Sequence, residues 1–447
     1  VFLLMPLYTK VLSEAQYGTV DLMVQVGNFL LPLVSCGIVN GIIRFGLDKY
    51  YKKRDVFTTG FLTILFGFII LLILEPILVH VPYLNENTMM IYVFVLMSSM
   101  RSLCSQFVRA KGYVKLYAID GLLSTATTIF FNVLYLVVLK WGINGYMLAM
   151  ISADTLSTLF LFYVAGLRRY LHIRGLNLST SREMLRYSIP MIPNSIFWWV
   201  NNMASRYMIA YFMGEEYNGL FAVAYKIPTI IVLMSNIFMD AWQMSAVSDS
   251  PDKRASFFTR VFLFYQSLIC TAASGLILFS KVITMILVSD SFYESWKYIP
   301  LLLLSTIFSC MSTFLGSVYM VEKKSMLNFI TTGIGAVINV VLNFLFIPIF
   351  GVNGAAFATF LSYFVVFVLR VIDTRRFIPM HFHPMRLTFN TLVLLAQAFI
   401  MIFEVKGWIF FELILTVLMV VANMSALLAT VAQLLLKRRP HPQHHEE

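Results

Sequence analysis

The 447-residue chain carries 33 Lys+Arg against 22 Asp+Glu, a formal charge of +11, with 59% hydrophobic and only 12% charged residues. Soluble globular proteins carry about 25% charged and about 45–50% apolar residues, so this composition excludes a soluble enzyme, a disordered tail and a fibrous repeat. It is that of an all-α polytopic membrane protein. At roughly 20 apolar residues per spanning helix, the length accommodates about 14 transmembrane helices with short connections.

In chain order, apolar runs predict spans at 17–46, 56–81, 88–109, 114–139, 143–166, 186–212, 217–247, 257–280, 296–321, 326–349, 354–372, 386–404 and 408–436. Val1–Thr9 is apolar but too short to span, and reads as the back end of a first helix. The domains expected are a six-helix bundle over 1–166, a cytoplasmic linker over 167–185 and a second six-helix bundle over 186–372. Two extra helices over 386–436 and a tail over 437–447 complete the chain. Cys36, Cys104, Cys270 and Cys310 lie in apolar stretches without CxxC spacing and read as buried thiols.

The basic residues give orientation. Twenty-five Lys and Arg fall in loops on one side of these spans, and five on the other: Lys10, Lys140, Lys281, Lys297 and Lys406. The positive-inside bias puts the first set, and both termini, in the cytoplasm. The longest outward connection, Phe279–Lys297, is too short for a domain. Chemistry is therefore expected inside the bilayer.

Trp141-Gly142-Ile143-Asn144-Gly145 recurs as Phe350-Gly351-Val352-Asn353-Gly354, and Glu14–Gly18 is echoed by Glu215–Gly219, offsets of 209 and 201. Both copies of each match face outward. The reading is two parallel six-helix repeats, an arrangement found in secondary transporters; a favoured Asn-Gly turn is the simpler account of either match alone.

Polar residues within spans are rare and face partners or cavities. Asp21, Gln25, Asn28 and Ser35 share one helix face, as do Lys226, Thr229, Asn236, Asp240 and Gln243. The 201 offset maps Gln25, Asn28 and Ser35 onto Lys226, Thr229 and Asn236. Asn194, Asn201, Asn202, Ser205 and Arg206 form a broader polar arc on the preceding helix. A water-filled cleft would use these residues, and so would interhelical hydrogen bonds; the cations Arg206 and Lys226 favour the cleft. Substrate-binding candidates are thus Arg206, Lys226, Gln25, Asn28, Asn201, Asn202 and Asn236. Among embedded acids, Asp120 is expected to pair with Lys111 or Lys115. Asp154, without an obvious local partner, is the candidate for coupling to a proton or sodium gradient. Arg101 is expected to snorkel toward the cytoplasm, and Glu75 to reach interfacial water. No P-loop or His-Glu-x-x-His motif occurs, so neither ATP hydrolysis nor a zinc protease is expected. His381, His383, His441, His444 and His445 read as solvated loop and tail residues rather than metal ligands, and no cofactor is expected.

Leu4–Lys10 with Tyr17-Gly18, Ile43-Arg44-Phe45, Arg109–Gly112, Arg206-Tyr207, Val223–Pro228, Glu322–Lys324 and Ile347–Ala356 occur in an order and spacing that resembles the bacterial polysaccharide flippases. These are the O-antigen and capsule repeat-unit transporters of the multidrug/oligosaccharidyl-lipid/polysaccharide exporter superfamily. The resemblance implies a V-shaped pair of six-helix bundles with a central cleft, plus two C-terminal helices, in the bacterial plasma membrane. It implies transport of an undecaprenyl-diphosphate-linked oligosaccharide from the cytoplasmic to the outer leaflet, with lipid and polysaccharide assembly proteins as partners and no nucleic acid. Arg44, Arg206 and Lys226 match positions where family members keep basic residues. A lipid II flippase fits Gly219–Pro228 less well, and a multidrug/cation antiporter wants an acidic rather than a basic cavity. A membrane glycan polymerase or glycosyltransferase would need catalytic groups on a sizeable outer loop.

The charge census makes a topology prediction. Cysteines placed at Lys53, Arg174 and Arg375 should be shielded from an impermeant thiol reagent in intact cells, whereas those at Asn85, Glu215 and Gly407 should label. Labelling at Arg174 from outside would overturn the map.

Overall fold

A computed structural model describes residues 4–48, 50–78, 87–172, 176–246, 251–322 and 324–437. Among the described residues every regular element is helical: α1 (Met5–Val11), α2 (Glu14–Val34), α3 (Ile38–Leu47), α4 (Lys53–Ile73), α5 (Glu75–Leu78), α6 (Thr88–Ala110), α7 (Val114–Asn132), α8 (Gly142–Val164) and α9 (Leu178–Ser188). They are followed by α10 (Ile192–Met213), α11 (Glu215–Ala224), α12 (Thr229–Ala246), α13 (Pro251–Leu278), α14 (Ser280–Leu287), α15 (Ile299–Val321), α16 (Ser325–Thr374), α17 (Pro384–Ile402) and α18 (Trp408–Lys437). All-helical architecture is what lipid demands, because an open strand edge would leave backbone groups unsatisfied. The chain is a multi-pass membrane protein.

Among the described residues ten helices are long and apolar enough to cross a membrane, eleven if a bent pair counts as one span. One of the ten, α16, is 50 residues long, about 75 Å at helical rise and more than twice the hydrocarbon thickness. Its backbone leaves the helix at Gly351, with φ 61° and ψ −142°, a conformation that suits glycine. The sequence expectation of two spans here, 326–349 and 354–372, is met by this break.

Three other expected spans are interrupted. The run 17–46 is two helices: α2 closes with Gly37 N–H donating to Pro32 O at 3.0 Å and Cys36 N–H to Leu33 O at 3.1 Å. Cys36 takes the left-handed position, φ 47°, the geometry of a Schellman ending. The run 217–247 bends by 43° between α11 and α12, where Pro228 lacks an N–H and disfavours helix at Ile227. The run 186–212 is likewise divided: α9 ends at Ser188, a 3₁₀ turn covers Ile189–Met191, and α10 starts with Pro193 in its first turn. Apolar residues flank all three short breaks closely, so hydropathy alone misses them. The connection 279–297, expected to face outward, is also ordered, as α14 and a 3₁₀ helix over Asp290–Tyr298 that buries Trp296.

The chain forms two compact units, Val1–Gly219 and Leu220–Glu447. In the first, α6 packs on α2, α3, α4, α7 and α8. Ile42, Phe57, Leu103, Phe107 and Leu161 are fully buried in its core. The expected linker is docked rather than loose. Thr58 donates to Tyr170 O at 2.8 Å and accepts from His172 N–H at 3.0 Å, and Tyr51 donates to Glu183 at 2.6 Å. In the second unit α15 lies along α16. The buried Arg370 binds Ser312 O at 2.7 Å, Thr332 Oγ1 at 2.9 Å and Thr331 Oγ1 at 3.1 Å. Asn339 and Asn343 hydrogen-bond each other at 3.0 Å in the same region.

Within the first unit, the start of α2 touches the start of α11 reciprocally. A Cβ on Gly18 would overlap the Glu215 carbonyl oxygen, and one on Gly219 would overlap that of Glu14. Asn218 Nδ2 donates to Gly18 O at 3.0 Å across this contact. Gly18→Ala should therefore behave as overpacking, with a loss of about 1–3 kcal/mol in stability read as a lowered melting temperature in detergent. Gly121→Ala, where the added Cβ meets nothing within 4 Å, is the control; equal melting of the two variants would refute the close approach.

Candidate functional site

The polar face of α2 is met by α10. Arg206, buried at 4% side-chain exposure, donates to Asp21, itself at 7%. Asp21 also accepts from Gln25 Nε2 at 3.4 Å, and Gln25 Oε1 accepts from Asn28 at 3.3 Å. From α10, Trp199 Nε1 donates to the Gln25 carbonyl at 2.9 Å and Tyr207 to the Leu22 carbonyl at 3.2 Å. The helical spacing that placed Asp21, Gln25 and Asn28 on one face thus builds a continuous hydrogen-bonded ladder. What sequence did not reveal is that its acid neutralises Arg206. The two lie 185 residues apart, and only packing joins them.

The remaining site candidates are distributed. Arg44 is exposed, its guanidinium 4.3 Å from the Tyr187 ring centroid. Asn201 and Asn202 belong to α10, but their side chains lie outside the described residues. Lys226 and Asn236 belong to the second unit. Lys226 is half-buried at the bend between α11 and α12, and Asn236 is exposed on α12. Gln25, the sequence counterpart of Lys226, sits in unbroken helix.

A second buried cluster joins α6, α7 and α8. Arg101 reaches Asp154 at 3.0 Å and Ser157 Oγ at 3.2 Å, while Ser157 donates to Asp120. This corrects three expectations. Asp154 has a partner, Arg101; Arg101 crosses to α8 instead of snorkelling; and Asp120 bonds Ser157 rather than Lys111 or Lys115. Lys111 instead donates to the Tyr170 hydroxyl, which holds that phenol below its usual range. Charges near in sequence do not reveal this pairing, because α6 and α8 bring Arg101 and Asp154 together from 53 residues apart. Asp154 holds the guanidinium directly, and Asp120 joins the cluster through Ser157.

No group of three His, Cys, Asp or Glu gathers among the described residues. His381 and His383 are exposed, and His441, His444 and His445 lie outside the described residues. The four cysteines are free.

Residues 1–242 match the family model described as "Polysaccharide biosynthesis protein". The chain belongs to this family. Its fold is shared with solved structures of a lipid II flippase and of MATE-family transporters of the MOP superfamily. An inward-facing multidrug-resistance transporter of the MATE family aligns with TM-score 0.68 and 12% identity, covering 84% of this chain and 94% of that one. The lipid II flippase MurJ, in an inward closed conformation, aligns with TM-score 0.61 and 14% identity, covering 96% and 95%. An outward-facing MATE transporter gives TM-score 0.58 and 13% identity, covering 83% and 89%. No curated protein matches the chain.

Removing one partner of a buried ion pair typically costs about 3–5 kcal/mol, because the other charge is left uncompensated. Asp21→Asn and Arg206→Gln should each lower thermal stability strongly in detergent. The double variant should recover much of the loss. Additive losses in the double variant would mean that the pair is not coupled.

Proposed function

We propose that this protein carries a polyprenyl-diphosphate-linked oligosaccharide from the cytoplasmic to the outer leaflet by alternating access, for export of a cell-surface polysaccharide, and that it does so as a transporter and not as an enzyme. The observation that carries the reading is Arg206, a guanidinium buried against the candidate span α2 in a polysaccharide biosynthesis family member. A diphosphate crossing the hydrocarbon layer needs a replacement for its lost hydration, and Arg presents a fork of donors that fits phosphate oxygens. The fold is also that of a protein that flips lipid II, a lipid-linked precursor.

In this reading Asp21 holds Arg206 until the diphosphate competes for it. Exchange of one anion for another keeps the guanidinium neutralised throughout, and keeps substrate affinity moderate enough for release. Lys226 supplies a second, compact cation at the α11–α12 bend. Arg44 serves as the cytoplasmic access contact, and Gln25, Asn28, Asn201, Asn202 and Asn236 offer amides to sugar hydroxyls. Asp154 is the ion-coupling residue: its cluster sets two carboxylates, Asp154 and Asp120, against one guanidinium, a surplus that a proton or sodium ion would balance. The protein works in the plasma membrane with both termini cytoplasmic, alongside polysaccharide assembly proteins.

One set of variants tests this. Lys226→Gln and Arg206→Gln should abolish export and accumulate lipid-linked repeat units inside, while Lys226→Arg and Arg206→Lys keep partial function. Asp21→Asn combined with Arg206→Gln separates folding from transport, since it should fold yet still fail to export. Asp154→Asn should flatten the dependence of transport on the proton or sodium gradient. Wild-type export by both neutral variants would exclude these cations from substrate binding, and unchanged gradient dependence would return Asp154 to a structural role.

A further inference from the structure

The two helices outside the duplication contain a carboxyl group that the transport reading does not use. Glu412 lies on α18, four residues in from Trp408, and is fully buried. Among the described residues no Lys, Arg or His forms an ion pair with it. Its Oε2 accepts from Gln397 Nε2 of α17 at 2.8 Å; the same amide nitrogen donates to Thr416 Oγ1 at 3.0 Å, which accepts from Ser274 of α13 at 3.3 Å.

Among the described residues, the charged groups of the neighbouring elements are engaged elsewhere, and the Tyr265 hydroxyl of α13 bonds Ser235. Beyond the outer end of α18, Lys281 pairs with Glu404 at 2.9 Å and stacks on Trp296 and Trp408, holding the Glu404 carboxyl below its usual range. On α17, Arg386 bonds Ser425 at 3.2 Å, thirteen residues and about 20 Å along α18 from Glu412. On α13, Arg260 is exposed and turns back to its own helix at Ser256, and Cys270 is a buried thiol.

Two oxygens in this cluster, Glu412 Oε1 and Gln397 Oε1, are buried without a hydrogen-bond partner among the described residues. Both are acceptors. A carboxylate and a carboxamide can share only one hydrogen bond, amide N–H to carboxylate oxygen, and that one is present. A neutral acid adds a second, its own O–H to the amide oxygen, which closes a ring between the planar groups. One proton on Oε1 would thus satisfy both orphaned oxygens and remove an uncompensated charge from a site that water does not reach.

The geometry points to Glu412 as a proton-binding site, held as a neutral acid in a cyclic pair with Gln397 that clips α17 to α18. The proton comes from solvent and returns to it when the carboxyl is exposed. No bond other than O–H is made or broken. When the proton leaves, the ring opens and a buried carboxylate is left facing an amide oxygen, so the clip holds only while the proton is bound. This does not depend on which substrate is carried.

The test is infrared spectroscopy of the purified full-length protein in liposomes at neutral pH. Wild type should show a protonated-carboxyl C=O band that shifts in heavy water, persists when sodium replaces potassium, and is absent in Glu412→Gln. Gln397→Leu should move that band to the higher frequency of a free carboxyl. Glu412→Gln keeps a cyclic amide–amide pair and should fold, and its melting temperature should stay flat where that of wild type falls as pH is raised. Absence of the band would mean an ionised Glu412, and loss of the band on sodium addition would mean a cation site instead. An unmoved band in Gln397→Leu would remove the ring. Each of these results overturns the proposal.

Discussion

A bilayer interior offers no water to hydrogen-bond, so every charge carried into it must find its partner within the protein. That constraint is met here in several ways. Arg206 and Asp21 neutralise each other across two helices. Arg101 serves Asp154 and Ser157, with Asp120 joined through the serine. Arg370 is received by a carbonyl and hydroxyls rather than by an acid, and Glu412 meets an amide. Each solution draws together helices that hydrophobicity alone would leave free to slide, because lipid is as apolar as the side chains that face it. The polar contacts therefore specify packing as much as they serve transport.

The same constraint gives the proposed transport step its logic. A buried cation that is already neutralised can exchange its counter-ion at lower cost than a bare cation could be created. Asp21 supports the fold around α2 and α10, and in the proposed step it also sets how strongly an incoming anion must bind to displace it. A site built this way favours passage over retention.

Much of this was legible in the sequence. Composition and the distribution of Lys and Arg were sufficient for a helical, multi-pass protein, and the spacing of Asp21, Gln25 and Asn28 for a shared polar face. The paired motifs at Glu14–Gly18 and Glu215–Gly219 pointed to places that the fold uses, although their mutual contact was not foreseen. The breaks at Ser35–Gly37 and Tyr225–Pro228 were missed because each is a short interruption between apolar runs. The partners of Arg206 and Asp154 were missed because interhelical contacts have no signature in local spacing. Glu412 was passed over as one acid inside an expected span; its interest appears only with Gln397 beside it.

The contacts between α17 and α18 follow a regular antiparallel register. Asn390 and Asn423 exchange hydrogen bonds at 3.1 and 3.0 Å, and seven residues along each helix Gln397 meets Thr416. Seven residues is about two helical turns, so both rungs lie on one seam. Either helix entering lipid by itself would carry Asn390 and Gln397, or Asn423 and Glu412, without the partners that the other helix supplies. Together they cancel. During biogenesis the insertion machinery would therefore have reason to retain α17 until α18 has been synthesised and release the two as a preformed hairpin. The segment Pro384–Lys437 would then be laid into the membrane in one event.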